Sequence, residues 1–239
     1  MIDIHCHLLY GVDDGAGTIE ESVAMLKEAR EQGIHGMILT PHYRHGMFSY
    51  PKEEIEEHFM QLKPYAEKLG IALALGTEYH VNSRMVEALK EGRCHTLAGS
   101  RYVLSEYSHD SELAYLEQMT ETLVRHGYIP VLAHVERYAC LTRDLDSVYR
   151  LRELGGWIQV NADAVLGLDG MAAKRFCKKL LKEELVDVVA SDCHGIKRRA
   201  CHMAACYERI TKKFGETYAG QLMTDNPSGI LENTPDFMR

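Results

Sequence analysis

Residues 1–15 read MIDIHCHLLYGVDDG, and the first part of this stretch predicts a short buried strand that ends in two histidines. Alternate side chains of a strand point to the same face, so His5 and His7 share one face while Cys6 points to the other. Two imidazoles at this spacing suit a metal site, with Asp14 close behind in the next loop. A pair of hydrogen-bonded histidines at the rim of a sheet would look the same, so the rest of the chain must decide.

Six further apolar runs rich in Val, Ile and Leu follow, as is typical of parallel strands buried on both faces. They cover residues 35–40, 71–76, 101–106, 129–134, 157–162 and 186–191. Helical patterns separate them, and no linker, repeat or low-complexity stretch interrupts the series. Such alternation predicts one α/β domain over residues 1–239 with a parallel sheet, and the chain length favours a barrel of seven strands.

The helix boundaries follow from capping residues and breakers. Thr18 and Glu21 have the spacing of a capping box, and Gly33 is placed to end that helix. Pro64 predicts a kink or a break in the second helix. The other helices are predicted over residues 51–69, 110–127, 142–156, 174–184 and 200–214.

Composition excludes several classes of protein. A net charge of −8 is unsuited to general nucleic-acid binding. The sequence has no apolar run of about 18 residues and no signal-like N-terminus, which predicts a protein that is not inserted in a membrane and not secreted. Seven cysteines without a C-x-x-C pair favour a reducing compartment, the cytoplasm. Composition leaves the oligomeric state open.

Metal-capable side chains lie at or just after nearly every predicted strand end. Because the carboxyl ends of parallel strands meet at one face of a barrel, residues scattered along the chain are expected to form one cluster there. Each residue alone is more simply a loop, capping or core residue, but their joint placement favours a metal site. The candidate ligands are His5, His7, Asp14, His42, Glu78, Glu106, His134, Asp192 and His194.

Nine nitrogen and oxygen ligands exceed the four of a tetrahedral site and suit two or three ions, with Mn, Fe and Zn all compatible. Three divalent ions and four carboxylates would leave a charge of about +2, which matches a phosphate dianion. A metal-bound hydroxide could then attack phosphorus. The residues alone therefore predict a metal-dependent phosphoesterase.

Arginines near the same strand ends are candidate phosphate ligands. Arg137 follows His134 and could hold phosphate with both guanidinium nitrogens, or could equally form a loop ion pair with Glu136. Arg198 and Arg199 follow the last strand, and at least one of them is more simply a solvated basic residue.

A thiolate mechanism competes with the metal mechanism, because Cys193 and Arg199 have the C-x5-R spacing of thiolate phosphatases. The charge of Asp192 opposes thiolate formation, and Ala200 stands where a hydroxyl residue usually follows the arginine. Cys193 is therefore predicted to be a packing residue between two ligands.

The motifs together resemble a known family. They are MIDIHCH, VDDG at Val12, TPH at Thr40, GTE at Gly76, LSE at Leu104, AHVERY at Ala133, QVNA at Gln159, ASDCH at Ala190 and DNP at Asp225. In this order the chain resembles the PHP (polymerase and histidinol phosphatase) superfamily. More narrowly it is similar to the manganese-dependent protein tyrosine phosphatases of bacterial capsule and exopolysaccharide operons, the CpsB/YwqE type.

The resemblance implies a distorted (β/α)7 TIM-like barrel with three metal ions, Mn²⁺ before Fe or Zn. His5, His7, Glu78 and Asp192 match the positions around one ion. Glu78 also matches a bridge to a second ion, held with Glu106 and His134, and Asp14, His42 and His194 match the third. Arg137 matches a phosphate-contacting arginine, and Arg199 matches a second one less closely because KRRACHM lacks the family's proline. Arg44 lies in a basic stretch without an assigned role.

The implied reaction is hydrolysis of phosphotyrosine in a protein, with the tail of a cognate bacterial tyrosine kinase as the expected partner. Two alternatives stay open at this point. One is a PHP phosphatase for a small phosphomonoester such as histidinol phosphate, and the other is a regulatory module that binds a membrane-associated kinase without turnover.

Overall fold

The apolar runs form a curled parallel sheet in a computed structural model of the protein, which describes residues 1–232 and has a mixed α/β fold. The strands are β1 (Ile2–Cys6), β2 (Gly36–Leu39), β3 (His42–Tyr43), β4 (Ala72–Leu75), β5 (Glu78–His80), β6 (Tyr102–Glu106), β7 (Ile129–Leu132), β8 (Trp157–Asn161) and β9 (Val188–Ala190). They pair in parallel in the orders β1-β2-β4 and β3-β5-β6-β7-β8-β9.

Two of the predicted strands are each followed, after a short interruption, by a further short strand. Pro41, which has no N–H to give to a strand ladder, lies between β2 and β3. Gly76 lies between β4 and β5, where a Cβ atom would come within 2.9 Å of the Leu97 side chain. His42 and Glu78 follow the ends of β2 and β4 as predicted, and each also begins a further short strand, where the two residues pair with each other.

The last strand lies beside the first, as expected of a barrel. The Asp192 backbone N–H donates to the His5 carbonyl (2.8 Å), and the His7 N–H donates to the Cys193 carbonyl (2.9 Å). The buried Asp3 carboxylate accepts hydrogen bonds from Ser191 N–H and Oγ (3.0 and 2.5 Å). These bonds bring the two ends of the sheet together directly below the histidines.

The interior of the sheet is filled with apolar side chains beneath the polar residues of its upper rim. Ile4 packs there even though its neighbour His5 reaches the rim, because the pairing of β1 with β2 is irregular between Asp3 and Cys6. Other members of this inner cluster are Ile38, Leu104, Val131 and Val188. The polar residues of the rim therefore lie directly above a closely packed apolar layer, which holds them in fixed positions.

Helices cover the outside of the sheet. They are α1 (Ile19–Glu31), α2 (Lys52–Lys68), α3 (Met85–Lys90), α4 (Leu113–Arg125), α5 (Asp146–Glu153), α6 (Ala162–Leu166), α7 (Met171–Lys182), α8 (Met203–Phe214), α9 (Glu216–Gly220) and α10 (Asn226–Glu232). No helix within residues 1–232 combines the length and the apolar character that crossing a bilayer requires.

Some helix predictions were wrong in their details. α2 continues through Pro64 without a break. The helix predicted from Thr142 begins at Asp146, because the Asp144 carboxylate accepts hydrogen bonds from Ser147 N–H and Oγ and holds the preceding residues in a turn. α4 and α8 begin three residues later than predicted, and α7 begins three residues earlier.

Candidate metal centre

The nine predicted ligands meet in one cluster at the rim of the sheet. They fall into four overlapping groups, and within each group one nitrogen or oxygen atom per residue lies within 4.8 Å of the others. The groups are His7, Asp14, His42 and His194; His5, His134 and Asp192; His5, His7 and Glu78; and His42, Glu78 and Glu106. By distance, Glu106 thus groups with His42, whereas the resemblance implied His134.

Glu78 lies at the centre of the cluster and is 1% exposed. Its Oε2 atom is 3.3 Å from His5 Nε2, 3.1 Å from His7 Nε2 and 2.9 Å from His42 Nδ1. Its Oε1 atom is 2.9 Å from His134 Nε2. One carboxylate therefore faces four imidazoles from three different segments of the chain, the arrangement expected of a bridging ligand.

The first two histidines are held with Nε2 pointing into the cluster. His7 Nδ1 lies 2.7 Å from Asp13 Oδ2, and His5 Nδ1 lies 3.1 Å from Gln159 Oε1, so each Nδ1 donates and each Nε2 is free to bind an ion. The two Nε2 atoms are 3.3 Å apart. Ligands about 2.1 Å from a shared tetrahedral ion would be separated by about 3.4 Å, which agrees with this spacing.

A chain of side-chain hydrogen bonds supports the cluster from β8. Gln159 Nε2 donates to Asn161 Oδ1 (2.8 Å), and Asn161 Nδ2 donates to Asp192 Oδ2 (2.8 Å). The chain thus links His5 to Asp192 through two buried amides. The predicted site did not include Asp13, Gln159 or Asn161. Two signals could have indicated them: Gln159 and Asn161 are two residues apart and so share one face of a strand, and Asp13 directly precedes Asp14.

Unsatisfied atoms indicate that the residues present fit divalent cations. Among the described residues, buried side-chain atoms without a hydrogen-bond partner include His42 Nδ1, Glu78 Oε2, Glu106 Oε2, His134 Nδ1 and His194 Nε2. His42 Nδ1 and Glu78 Oε2 are 2.9 Å apart but do not have the angles of a hydrogen bond. Leaving so many buried polar atoms unpaired in one place is costly unless they bind something. Nitrogen and carboxylate oxygen donors without thiolate suit Mn, Fe or Zn ions.

Burial and close charges displace the pKa values in opposite directions. Burial lowers the pKa of His7, but the nearby carboxylates of Asp13 and Glu78 together outweigh it and raise the value to about 9. Burial raises the pKa of Glu106 to about 7, with the nearby charge of Glu78 adding to the effect. Burial lowers the pKa of His134 to about 4.

These shifts predict that the protein binds divalent ions more tightly as pH rises from about 6 to about 9, because a cation must displace protons from Glu106 and His7. Only the deprotonated carboxylate and the neutral imidazole can bind a cation. Glu106 reaches that form as pH rises through its pKa of about 7, and His7 reaches it as pH rises through about 9, so affinity increases with pH. Calorimetric titration of the metal-free protein with Mn²⁺, in buffers of different ionisation enthalpy, measures both affinity and proton release. An affinity that is flat or falls over this range would contradict the assignment.

A substitution of Asp13 tests whether this residue orients His7 for metal binding. Its Oδ2 atom accepts from His7 Nδ1 and from the His42 backbone N–H (3.1 Å), while Oδ1 accepts from Gly15 N–H (2.9 Å). In Asp13→Asn, an amide NH2 at the Oδ2 position can no longer accept from His7, which then loses its orientation. We expect metal affinity to fall about 10- to 100-fold, with unchanged far-ultraviolet circular dichroism. Unaltered affinity in a metal titration would refute this role.

The predicted phosphate-binding arginines both face Asp192. Arg137 Nη2 is 2.8 Å from Asp192 Oδ2, so its ion pair is not with Glu136. Arg199 Nη2 is 2.9 Å from Asp192 Oδ1, and its Nη1 lies 3.8 Å from Asp14 Oδ2. Each guanidinium is partly exposed and retains donors for an anion at the mouth of the cluster, whereas Arg198 is exposed.

Two of the candidate metal ligands and one of the candidate phosphate-binding arginines have strained backbone conformations. His134, Asp192 and Arg199 have φ angles of +34°, +52° and +51°, in the left-handed region that residues other than glycine seldom adopt. Such conformations cost of order 1–3 kcal/mol each and persist where the surroundings impose them, often at functional sites.

The structure argues against a thiolate mechanism. Cys193 is 2% exposed and packs with Cys6 and Cys201 on the face opposite the cluster. Burial raises the pKa of its thiol well above the usual value, and the carboxylates of Asp3 and Asp192 oppose ionisation further. Arg199, the other half of the C-x5-R spacing, pairs with Asp192. Cys193 is thus placed as the packing residue that the sequence predicted.

The sequence of this chain is similar to those of known proteins over almost its whole length. A family model described as capsular polysaccharide synthesis, CpsB/CapC, matches residues 1–232. The tyrosine-protein phosphatase CpsB of Streptococcus pneumoniae is 36% identical over 97% of this chain and 98% of its own length.

Solved structures extend the comparison. A crystal structure from work on YwqE of Bacillus subtilis and CpsB of S. pneumoniae, described as metal-dependent tyrosine phosphatases, superposes with a TM-score of 0.91 at 32% identity. The match covers 98% of this chain and 95% of the other. The phosphotriesterase homology protein of Escherichia coli superposes with a TM-score of 0.63 at 13% identity, over 96% of this chain and 98% of its own. That match shows a shared fold alone.

Proposed function

The chain belongs to the CpsB/CapC family of capsular polysaccharide synthesis proteins, and on this basis we propose that it is a metal-dependent tyrosine phosphatase. It hydrolyses the phosphate ester of phosphotyrosine in proteins. The observation that carries the proposal is the convergence of five histidines and four carboxylates on one rim, with a guanidinium on either side of Asp192.

The nine clustered residues are the proposed ligands of the metal ions: His5, His7, Asp14, His42, Glu78, Glu106, His134, Asp192 and His194. When bound, divalent cations supply Lewis acidity, which activates water and stabilises negative charge on phosphoryl oxygens. We take Mn²⁺ as the first cation to test, followed by Fe and Zn.

The chain's own residues then bind and orient the substrate. Arg137 and Arg199 have guanidinium donors for the non-bridging phosphoryl oxygens, and Asp192 fixes both guanidinium groups by accepting from each. Donors fixed in advance favour the more highly charged transition state over the ground state. Because phenolate is a good leaving group, the reaction does not require a dedicated acid to protonate it.

Family membership also supports finer proposals. The parallel strand order and the bonds from the segment after β9 to β1 support a distorted (β/α)7 barrel, and the match over residues 1–232 supports a single phosphatase domain. We propose that the phosphoprotein substrate is a bacterial tyrosine kinase that controls capsule or exopolysaccharide synthesis, dephosphorylated in its tail.

A substrate comparison tests this function. The Mn²⁺-loaded protein should hydrolyse a phosphotyrosine peptide with a kcat/KM at least about tenfold above that for histidinol phosphate. A site specific for histidinol phosphate would instead contact its imidazole and amine groups and would favour that substrate. The reverse preference would identify a small-molecule phosphatase instead. Peptide binding without turnover, whichever of Mn, Fe and Zn is supplied, would identify a binding module.

A further inference from the structure

A groove runs away from the candidate centre between the segment after β7 and helix α7. Two adjoining cavities of about 460 and 320 Å³ form it, and both are lined by Thr142, Phe176 and Lys179. Its inner end is at Arg137, which also contacts Asp192 of the metal cluster. The groove therefore begins at a side chain that is proposed to bind the phosphoryl group.

The lining of this groove is rich in positive charge. Five cationic side chains line it, against the three carboxylates of Glu136, Asp144 and Glu183. The cations are Arg137, Arg143, Arg175, Lys179 and Lys182, and together with the buried Phe176 they define what we call the cationic groove. The chain as a whole has a net charge of −8, so the local charge of this surface is opposite in sign to the net charge of the protein.

The carboxylates in the groove are largely engaged or buried. Asp144 accepts from Ser147, and Glu183 accepts from Lys182 Nζ (3.3 Å). Glu136 is 6% exposed, and its Oε1 accepts from Asn161 N–H (3.1 Å). Its Oε2 has no hydrogen-bond partner in the part of the chain that the structure describes and is buried as well, so Glu136 presents little negative charge to the groove.

We propose that the cationic groove binds an acidic peptide segment next to the phosphotyrosine of the protein substrate. This proposal rests on the proposed function, since the groove begins at Arg137, one of the proposed phosphate-binding residues. Glu or Asp side chains of the segment pair with Arg175 and Lys179, and its aliphatic portions pack over Phe176. Such pairing selects among phosphoproteins by the charge that flanks the phosphotyrosine.

Three phosphopeptides of equal length test the proposal: one with three glutamates before the phosphotyrosine, one with three after it, and one with glutamines at all these positions. We expect one acidic peptide to have a kcat/KM about tenfold above that of the glutamine peptide, with an advantage that shrinks as salt is added. The double variant Arg175→Glu, Lys179→Glu should lose this advantage and leave hydrolysis of free phosphotyrosine unchanged.

Lys178→Glu is the matched control, because Lys178 is an exposed lysine on the same helix that lines a separate cavity with Val165 and Arg209. It should behave as the wild type does. Equal kcat/KM values for the three peptides in the wild type, or equal losses in Lys178→Glu and the double variant, would overturn the groove proposal. Failure to hydrolyse any phosphotyrosine substrate would overturn the proposed function instead, and fluorescence anisotropy of a labelled acidic peptide would still test the groove.

Discussion

Glu78→Gln is expected to lower phosphotyrosine hydrolysis by at least about 10³-fold, the largest effect of any single substitution in the chain. The substitution removes one negative charge from a carboxylate that faces His5, His7 and His42 through one oxygen and His134 through the other. A neutral amide would be a poor ligand between two cations, and its NH2 group would point at nitrogen atoms that are proposed to bind metal. Metal content measured by mass spectrometry should fall together with activity.

The control is Glu87→Gln on α3, where the side chain is 61% exposed. It should leave metal content and kcat/KM at wild-type values. A Glu78→Gln protein that keeps both its metal and its activity would show that Glu78 is a buried ion-pair residue and that the cluster does not work as proposed.

Arg137→Lys is expected to lower kcat/KM by about 100-fold while the protein keeps its metal. A lysine retains the charge but has no planar fork with which to hold two phosphoryl oxygens, and it cannot keep the same contact with Asp192. The measurement is steady-state kinetics on a phosphotyrosine peptide, with metal content determined on the same samples.

Arg152→Lys provides a matched control, because Arg152 also makes a 2.8 Å ion pair with a largely buried aspartate, Asp187. Neither of these two residues belongs to the metal cluster. The substitution should reduce thermal stability without reducing kcat/KM. Equal kinetic losses in the two variants would mean that Arg137 supports the fold and does not bind phosphate.

The sequence predicted the strands well because each one is a short apolar run with a clear end. It did not predict the short strands β3 and β5 that follow two of them, since the interruption at Gly76 depends on the close approach of Leu97 from another segment. The start of α5 was misplaced for a similar reason: Thr142 is a good capping residue by type, but Asp144 makes the local hydrogen bonds. Propensity indicates that an element exists, whereas packing and side-chain hydrogen bonds fix where it begins.

The residues of the candidate site were predictable because their chemistry is visible in the sequence and parallel strands bring their ends together. The supporting residues were harder to find. Asp13, Gln159 and Asn161 act through His7, His5 and Asp192, and a hydrogen bond to a ligand leaves no spacing pattern in a sequence. The partner of Arg137 was equally hidden, because Asp192 is distant in the chain and Glu136 is adjacent.

The central claim is that metal ions held by this cluster, and not a cysteine thiolate, hydrolyse phosphotyrosine. The most direct measurement is hydrolysis of a phosphotyrosine peptide by protein stripped with a chelator, then with Mn²⁺ restored, with Cys193→Ser assayed in parallel. We predict that activity disappears on stripping, returns with Mn²⁺ and survives in Cys193→Ser. Activity that persists through chelation and is lost in Cys193→Ser would contradict the account.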